Sequence, residues 1–147
     1  MTAPRTTPLR RGTAILLLVL YALAIFGGSS GGAPSVITDL GIPDYFLHAA
    51  EFAVLGFLAS RAVLHLSLKT GWLLLVLVPG LISTLYGASD ELHQAFVPER
   101  DADYMDILAD AVGSFLGAFT YRALLIRHLR RGVKSIPEPG LSGAGEP

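Results

Sequence analysis

Asp44, His48 and Glu51 follow one another at i, i+4 and i+7, and Asp103, Asp106 and Asp110 at i, i+3 and i+7. On helices, each trio shares one face. Between them in the chain come Asp90, Glu91, His93 and Gln94, then Arg100. Carboxylates and imidazoles in such a pattern can transfer protons as general acid and base, ligate a divalent ion, or line a proton path. His48-x-x-Glu51 alone is a weak metal signal, because no HExxH or comparable paired arrangement accompanies it. The expectation is therefore no metal site and no cofactor. With no cysteine in the chain, thiolate zinc sites, disulfides and cysteine nucleophiles are excluded. No GxxxxGK[ST], GxGxxG or GxSxG pattern and no fixed-period repeat occurs.

These charges sit in an unusually apolar chain. Of 147 residues, 52% are hydrophobic and only 16% charged, which is the balance of a membrane domain rather than a soluble one. A formal net charge of −1 gives no reason to expect nucleic acid as a partner. Four apolar runs stand out: Thr13 to Gly28, Tyr45 to Leu66, Trp72 to Gly87 and Tyr104 to Ile126. A span needs about 20 helical residues, so the first and third are slightly short, a gap that snorkelling side chains and local thinning cover. The fold expected is all-α, a four-transmembrane-helix bundle spanning 13–126. A lead over 1–12 precedes it, and a basic, then flexible tail over 127–147 follows. The loop "GGSSGGAPSVITDLGIPDY" is too glycine-rich for regular structure and is expected on the outer surface.

Lys and Arg fix the orientation. Arg5, Arg10 and Arg11 precede the first run, Arg61 and Lys69 surround the second connection, and Arg122, Arg127, Arg130, Arg131 and Lys134 close the fourth. Only Arg100 lies in a connection on the other side. Both termini are thus expected in the cytoplasm, with the chain a multi-pass protein of the cytoplasmic membrane and the lipid bilayer its first partner. A cleaved signal peptide is the rival reading of the first run, although Pro34 directly after the small residues makes a poor cleavage point.

This topology puts ten of the twelve acids in outer loops or the outer halves of spans. Glu51 and Asp110 lie about 10 Å deeper than the first acid of their stripes. An acid at the middle of a span costs about 2.5–3.5 kcal/mol, so several facing lipid would be hard to tolerate. Ser83, Tyr86, Asp90 and Gln94 add a third stripe. Facing one another, the three stripes would form an outward-opening polar pocket of Asp44, His48, Glu51, Asp90, Glu91, Gln94, Arg100, Asp106 and Asp110. There the acids could share protons and accept hydrogen bonds from His48, His93, Gln94, Tyr86 and Arg100. The plainer alternative is polar glue between helices. Gly113 and Gly117 form a GxxxG read as close helix packing, and Pro79-Gly80 is read as a kink in the third helix.

"DYFLHAAEFAVLGFL" followed by "SDELHQAFVPERDADYMDILADAVGSFLG" resembles the VanZ-like family of small bacterial membrane proteins. Asp44, His48, Glu51, Leu55 and Gly56 match the family's first block. Asp90, Glu91, Gln94, Phe96, Pro98, Arg100, Asp106, Gly113 and Gly117 match its second. Tyr45 stands where Lys is usual, Phe52 where Tyr is, Glu99 where Gly is and Asp110 where Asn is. The resemblance implies the fold and the membrane location. The family's namesake raises resistance to the glycopeptide teicoplanin, a phenotype that transfers less readily than the fold.

Three functions compete. The leading one is a non-enzymatic envelope protein whose pocket takes a cell-wall or lipid-linked component or a partner protein. Asp90, Glu91, Gln94 and Arg100 would line its mouth, with Arg100 contacting a phosphate or carboxylate. A membrane enzyme acting on an envelope lipid or cell-wall precursor is second. A small transporter or proton-coupled channel is third, although the inner halves of the spans carry no polar stripe and no inverted repeat is present.

Overall fold

A computed structural model describes residues 8–31, 43–66, 71, 73–98, 100 and 102–134. Residues 1–7 of the expected lead over 1–12, most of the glycine-rich loop, Lys69, Glu99, Asp101 and the tail from 135 lie outside the described residues. The described chain is four helices: α1 Pro8–Ser29, α2 Asp44–Leu66, α3 Leu74–Gln94 and α4 Tyr104–Lys134. The basic residues Arg127, Arg130 and Arg131 lie in the last turns of α4.

Local chemistry sets the helix ends. Asp103 caps α4, its Oδ1 accepting the Met105 N–H at 2.9 Å. Asp44 places a negative charge in the first turn of α2, where the helix dipole favours it. Pro79 lies inside α3 and has no N–H for the carbonyl of Leu75, four residues back. The hydroxyl of Ser60, fully buried on α2, donates to that carbonyl at 2.8 Å. A neighbouring helix thus satisfies the acceptor that proline leaves open.

Cross-helix contacts fix the topology. His48 of α2 meets Asp110 of α4 near the start of both, while Phe57 and Tyr121 stack edge to face further along, so α2 and α4 run parallel. Ser29 to Asp90 and Tyr86 to Ala22 make α1 and α3 parallel too, and antiparallel to the other pair. The end of α1, the start of α2, the end of α3 and the start of α4 therefore gather at one end of an up-and-down bundle. At the opposite end Arg11 Nε donates to the His65 carbonyl at 2.8 Å.

Glycines permit the closest approach, between α2 and α4. A methyl group added at Gly113 or Gly117 would overlap the carbonyl of Ala49 or Ala53, and one at Gly56 would overlap the carbonyl of Ser114. The two backbones touch along this small-residue seam. The apolar core is modest, with Ile25, Phe52 and Leu55 at its centre and Leu18, Tyr21, Ala22 and Tyr86 against it.

Among the described residues, two helices are long and apolar enough to cross a membrane: α1 over Arg10–Ser29, and α2. Burial is inverted relative to a water-soluble protein. Leu85 is 70% exposed and Leu92 64%, while Asp110 is 0% and Glu91 2% exposed.

Candidate functional site

The gathered end of the bundle holds the ionisable residues. His48, one turn into α2, is buried at their centre. Its Nδ1 is hydrogen-bonded to Asp110 Oδ1 at 3.0 Å. With an ionised carboxylate the imidazole is the donor here, and its neutral form then carries the proton on Nδ1 and an open lone pair on Nε2. Nε2 lies 3.8 Å from Asp106 Oδ2, and Nδ1 lies 3.9 Å from Glu91 Oε1. Asp110 can reach the imidazole because Gly87 of α3 has no side chain; a methyl there would collide with the Asp110 carboxylate.

Asp90 and Glu91 point into the bundle from the last turn of α3. Asp90 is well satisfied, accepting from Ser29 Oγ at 2.6 Å and from Gln94 Nε2 at 3.1 Å. Glu91 is half satisfied. Its Oε2 accepts the Asp103 N–H at 3.1 Å, while Oε1 has no hydrogen-bond partner among the described residues. Asp110 Oδ2 is also without one. Arg100 clasps the rim, Nε donating to the Gly31 carbonyl at 3.1 Å and Nη1 reaching Asp44 Oδ2 at 3.5 Å.

The structure thus gathers His48, Glu91, Asp106 and Asp110 into one cluster, with Asp44 and Arg100 at its edge and Asp90 with Gln94 beside it. Glu51 is exposed by area, yet its carboxyl lies near enough to His48, Asp110, Asp90 and Asp44 to feel their charges. At 100° per residue it is turned roughly 100° from Phe52, which faces the core, and so lies on the flank of α2 toward α1. There Tyr21 OH donates to its backbone carbonyl at 3.2 Å.

Two donors expected for the acids go elsewhere. Tyr86 OH donates to the Ala22 carbonyl at 2.7 Å, and His93 Nε2 pairs with Ser30 Oγ at 3.1 Å while its ring stacks on Phe26. Arg100 pairs with Asp44 at the start of α2. Sequence reasoning missed Ser29, the residue through which α1 reaches Asp90. The serine pair closing "FGGSS" was the available signal, and it reads equally well as the start of a flexible loop.

The sequence pattern of the VanZ/LLP1 family matches residues 13–127. The chain belongs to the VanZ/LLP1 family. That match runs from α1 into α4 and takes in every cluster residue of this VanZ/LLP1 chain. Searches among curated proteins and among solved structures find no match.

Proposed function

We propose that this VanZ/LLP1 chain is a four-span protein of the cytoplasmic membrane with both termini in the cytoplasm, which binds an anionic cell-wall or lipid-linked component through the polar cluster at its outer end. The observation that carries the reading is a charged interior inside an apolar exterior. The acids that lower the apolarity of α3 and α4, Asp90, Glu91, Asp106 and Asp110, are all buried between helices. Those two helices instead expose Leu81, Leu85, Leu92, Leu108, Val112, Leu116 and Phe119. Such a surface suits hydrocarbon, and polar groups in a span belong in the bundle interior.

Orientation follows from charge. Arg10, Arg11, Arg61, Arg122, Arg127, Arg130 and Arg131 lie toward the end of the bundle opposite the cluster, which the positive-inside tendency assigns to the cytoplasm. Arg100, alone among the described basic residues at the cluster end, offers its guanidinium to an incoming phosphate or carboxylate in exchange for the exposed Asp44.

Growth of a deletion strain against envelope-targeting antibiotics, including a lipoglycopeptide, tests this reading. The strain is complemented with wild type or with Asp90→Asn/Glu91→Gln, each shown to reach the membrane. Sensitisation rescued by wild type alone is expected. Rescue by both forms would reduce the cluster to polar glue, and an unaltered deletion strain would remove the envelope role.

A further inference from the structure

We infer that the cluster holds a divalent cation, taken by His48 Nε2, Asp106 and Asp44. This inference rests on reading the cluster as a ligand site, and it revises the expectation of no metal drawn from sequence spacing alone. One ligand atom from each of the three residues falls within 4.8 Å of the others. Two donors each about 2.1 Å from an ion stand about 3–3.5 Å apart, so modest side-chain rotation closes the set. Sequence spacing hid the site because its third ligand comes from α4, 58 positions beyond His48, and not from the same helix.

Three further features belong to a metal site. The first is orientation from behind: Asp110, itself fully buried, holds the imidazole through Nδ1 and turns Nε2 toward Asp106. A carboxylate behind a ligating histidine commonly plays this part. The second is an orphaned charge. Glu91 is 2% exposed, and its Oε1, 3.9 Å from His48 Nδ1, has no hydrogen-bond partner among the described residues. The third is access, because Asp44 is exposed at the rim while His48 and Asp106 are buried beneath it.

Charge balance points the same way. Asp44, Glu91, Asp106 and Asp110 bring four carboxylates against one guanidinium, that of Arg100. With a neutral imidazole the excess is three negative charges, costly in a buried setting unless protons or a cation offset it. One imidazole with carboxylates suits Mn²⁺ or Zn²⁺. A bound ion beside Arg100 would give an anionic ligand two positive contacts on the rim of one site.

The test uses the full chain in detergent, chelator-treated, then titrated with MnCl₂ or ZnCl₂ under equilibrium dialysis, with thermal unfolding followed in parallel. Wild type is expected to take one ion per chain and to unfold at higher temperature when loaded. Asp106→Asn and Asp44→Asn should each weaken binding by about 10–100-fold or more. His128→Gln, an exposed histidine toward the far end of α4, controls for adventitious coordination and should bind as wild type does. Asp44→Asn lies at the exposed rim, so it reports even if the buried variant does not fold. Binding well below one ion per chain, or equal affinity in Asp44→Asn and wild type, would overturn the inference. Failure here with the antibiotic phenotype of Asp90→Asn/Glu91→Gln intact would leave the envelope reading standing. Metal binding without that phenotype would do the reverse.

Discussion

Ser60 and Pro79 offer a close test of how the bundle is held together. Pro79 cannot donate to the Leu75 carbonyl, and Ser60 Oγ does so from α2 at 2.8 Å. In Ser60→Ala that carbonyl loses its donor. Leaving a buried acceptor unsatisfied costs about 1–3 kcal/mol in general. Hydrogen bonds between membrane helices average about 0.6 kcal/mol and reach about 1.7, so a loss of about 1 kcal/mol is expected. In Pro79→Ala the backbone N–H restored at that position takes up the Leu75 carbonyl within α3. Ser60→Ala in that background should then cost less than about 0.5 kcal/mol, since the serine no longer answers an otherwise open acceptor. The four proteins are compared by reversible unfolding in mixed micelles. The cycle removes whatever Pro79→Ala does on its own through lost ring packing. Equal costs for Ser60→Ala in both backgrounds would refute the account.

Other expectations concern the seam, the cluster and the topology. Gly117→Val forces α2 and α4 apart at the Ala53 carbonyl and should cost about 1–3 kcal/mol in the same assay, whereas Gly12→Ala, with open space around it, should change little. Asp110→Asn keeps an oxygen to accept from His48 Nδ1 and removes a charge whose Oδ2 has no hydrogen-bond partner among the described residues, so unfolding stability should hold or rise, while Asp110→Ala should lose stability. Because the chain has no native cysteine, single variants report sidedness cleanly: in intact cells an impermeant maleimide should label Phe96→Cys and spare Arg131→Cys. Labelling of both or the reverse pattern would overturn the orientation.

Much of the site could be read from helical spacing, because burial in a bundle is decided by which face a residue occupies. Asp90 and Gln94, and likewise Asp106 and Asp110, are one turn apart and share the inward face. Glu51 shows the limit of that reading. Its spacing from His48 matches, yet the buried face of α2 is centred on His48, Phe52, Leu55 and Ala59, and Glu51 lies beside that face, exposed by area though close enough to His48, Asp110 and Asp90 to feel their charges. Sequence periodicity gives relative angles around a helix, while the direction of the core depends on which helices pack there. Ser29 and Ser60 escaped notice for the same reason. Each matters through a partner 61 or 15 residues away, Asp90 and the Leu75 carbonyl, that only the packed bundle supplies. Asp110 stands where Asn is usual in the resemblance, and its bond to His48 uses an oxygen that Asn would also have. The substitution alters charge more than shape.

Glu91→Gln separates a functional cluster from polar glue most directly. Its Oε1 makes no hydrogen bond among the described residues, and its Oε2 can be replaced by the amide oxygen in accepting the Asp103 N–H. The variant therefore loses a buried charge and keeps the bond, and its unfolding stability should equal or exceed that of wild type. Complementation of the deletion strain by Glu91→Gln, measured beside that stability, is expected to fail although the protein is folded and in the membrane. Full complementation by the stable variant would contradict the claim that the charge of this cluster serves function.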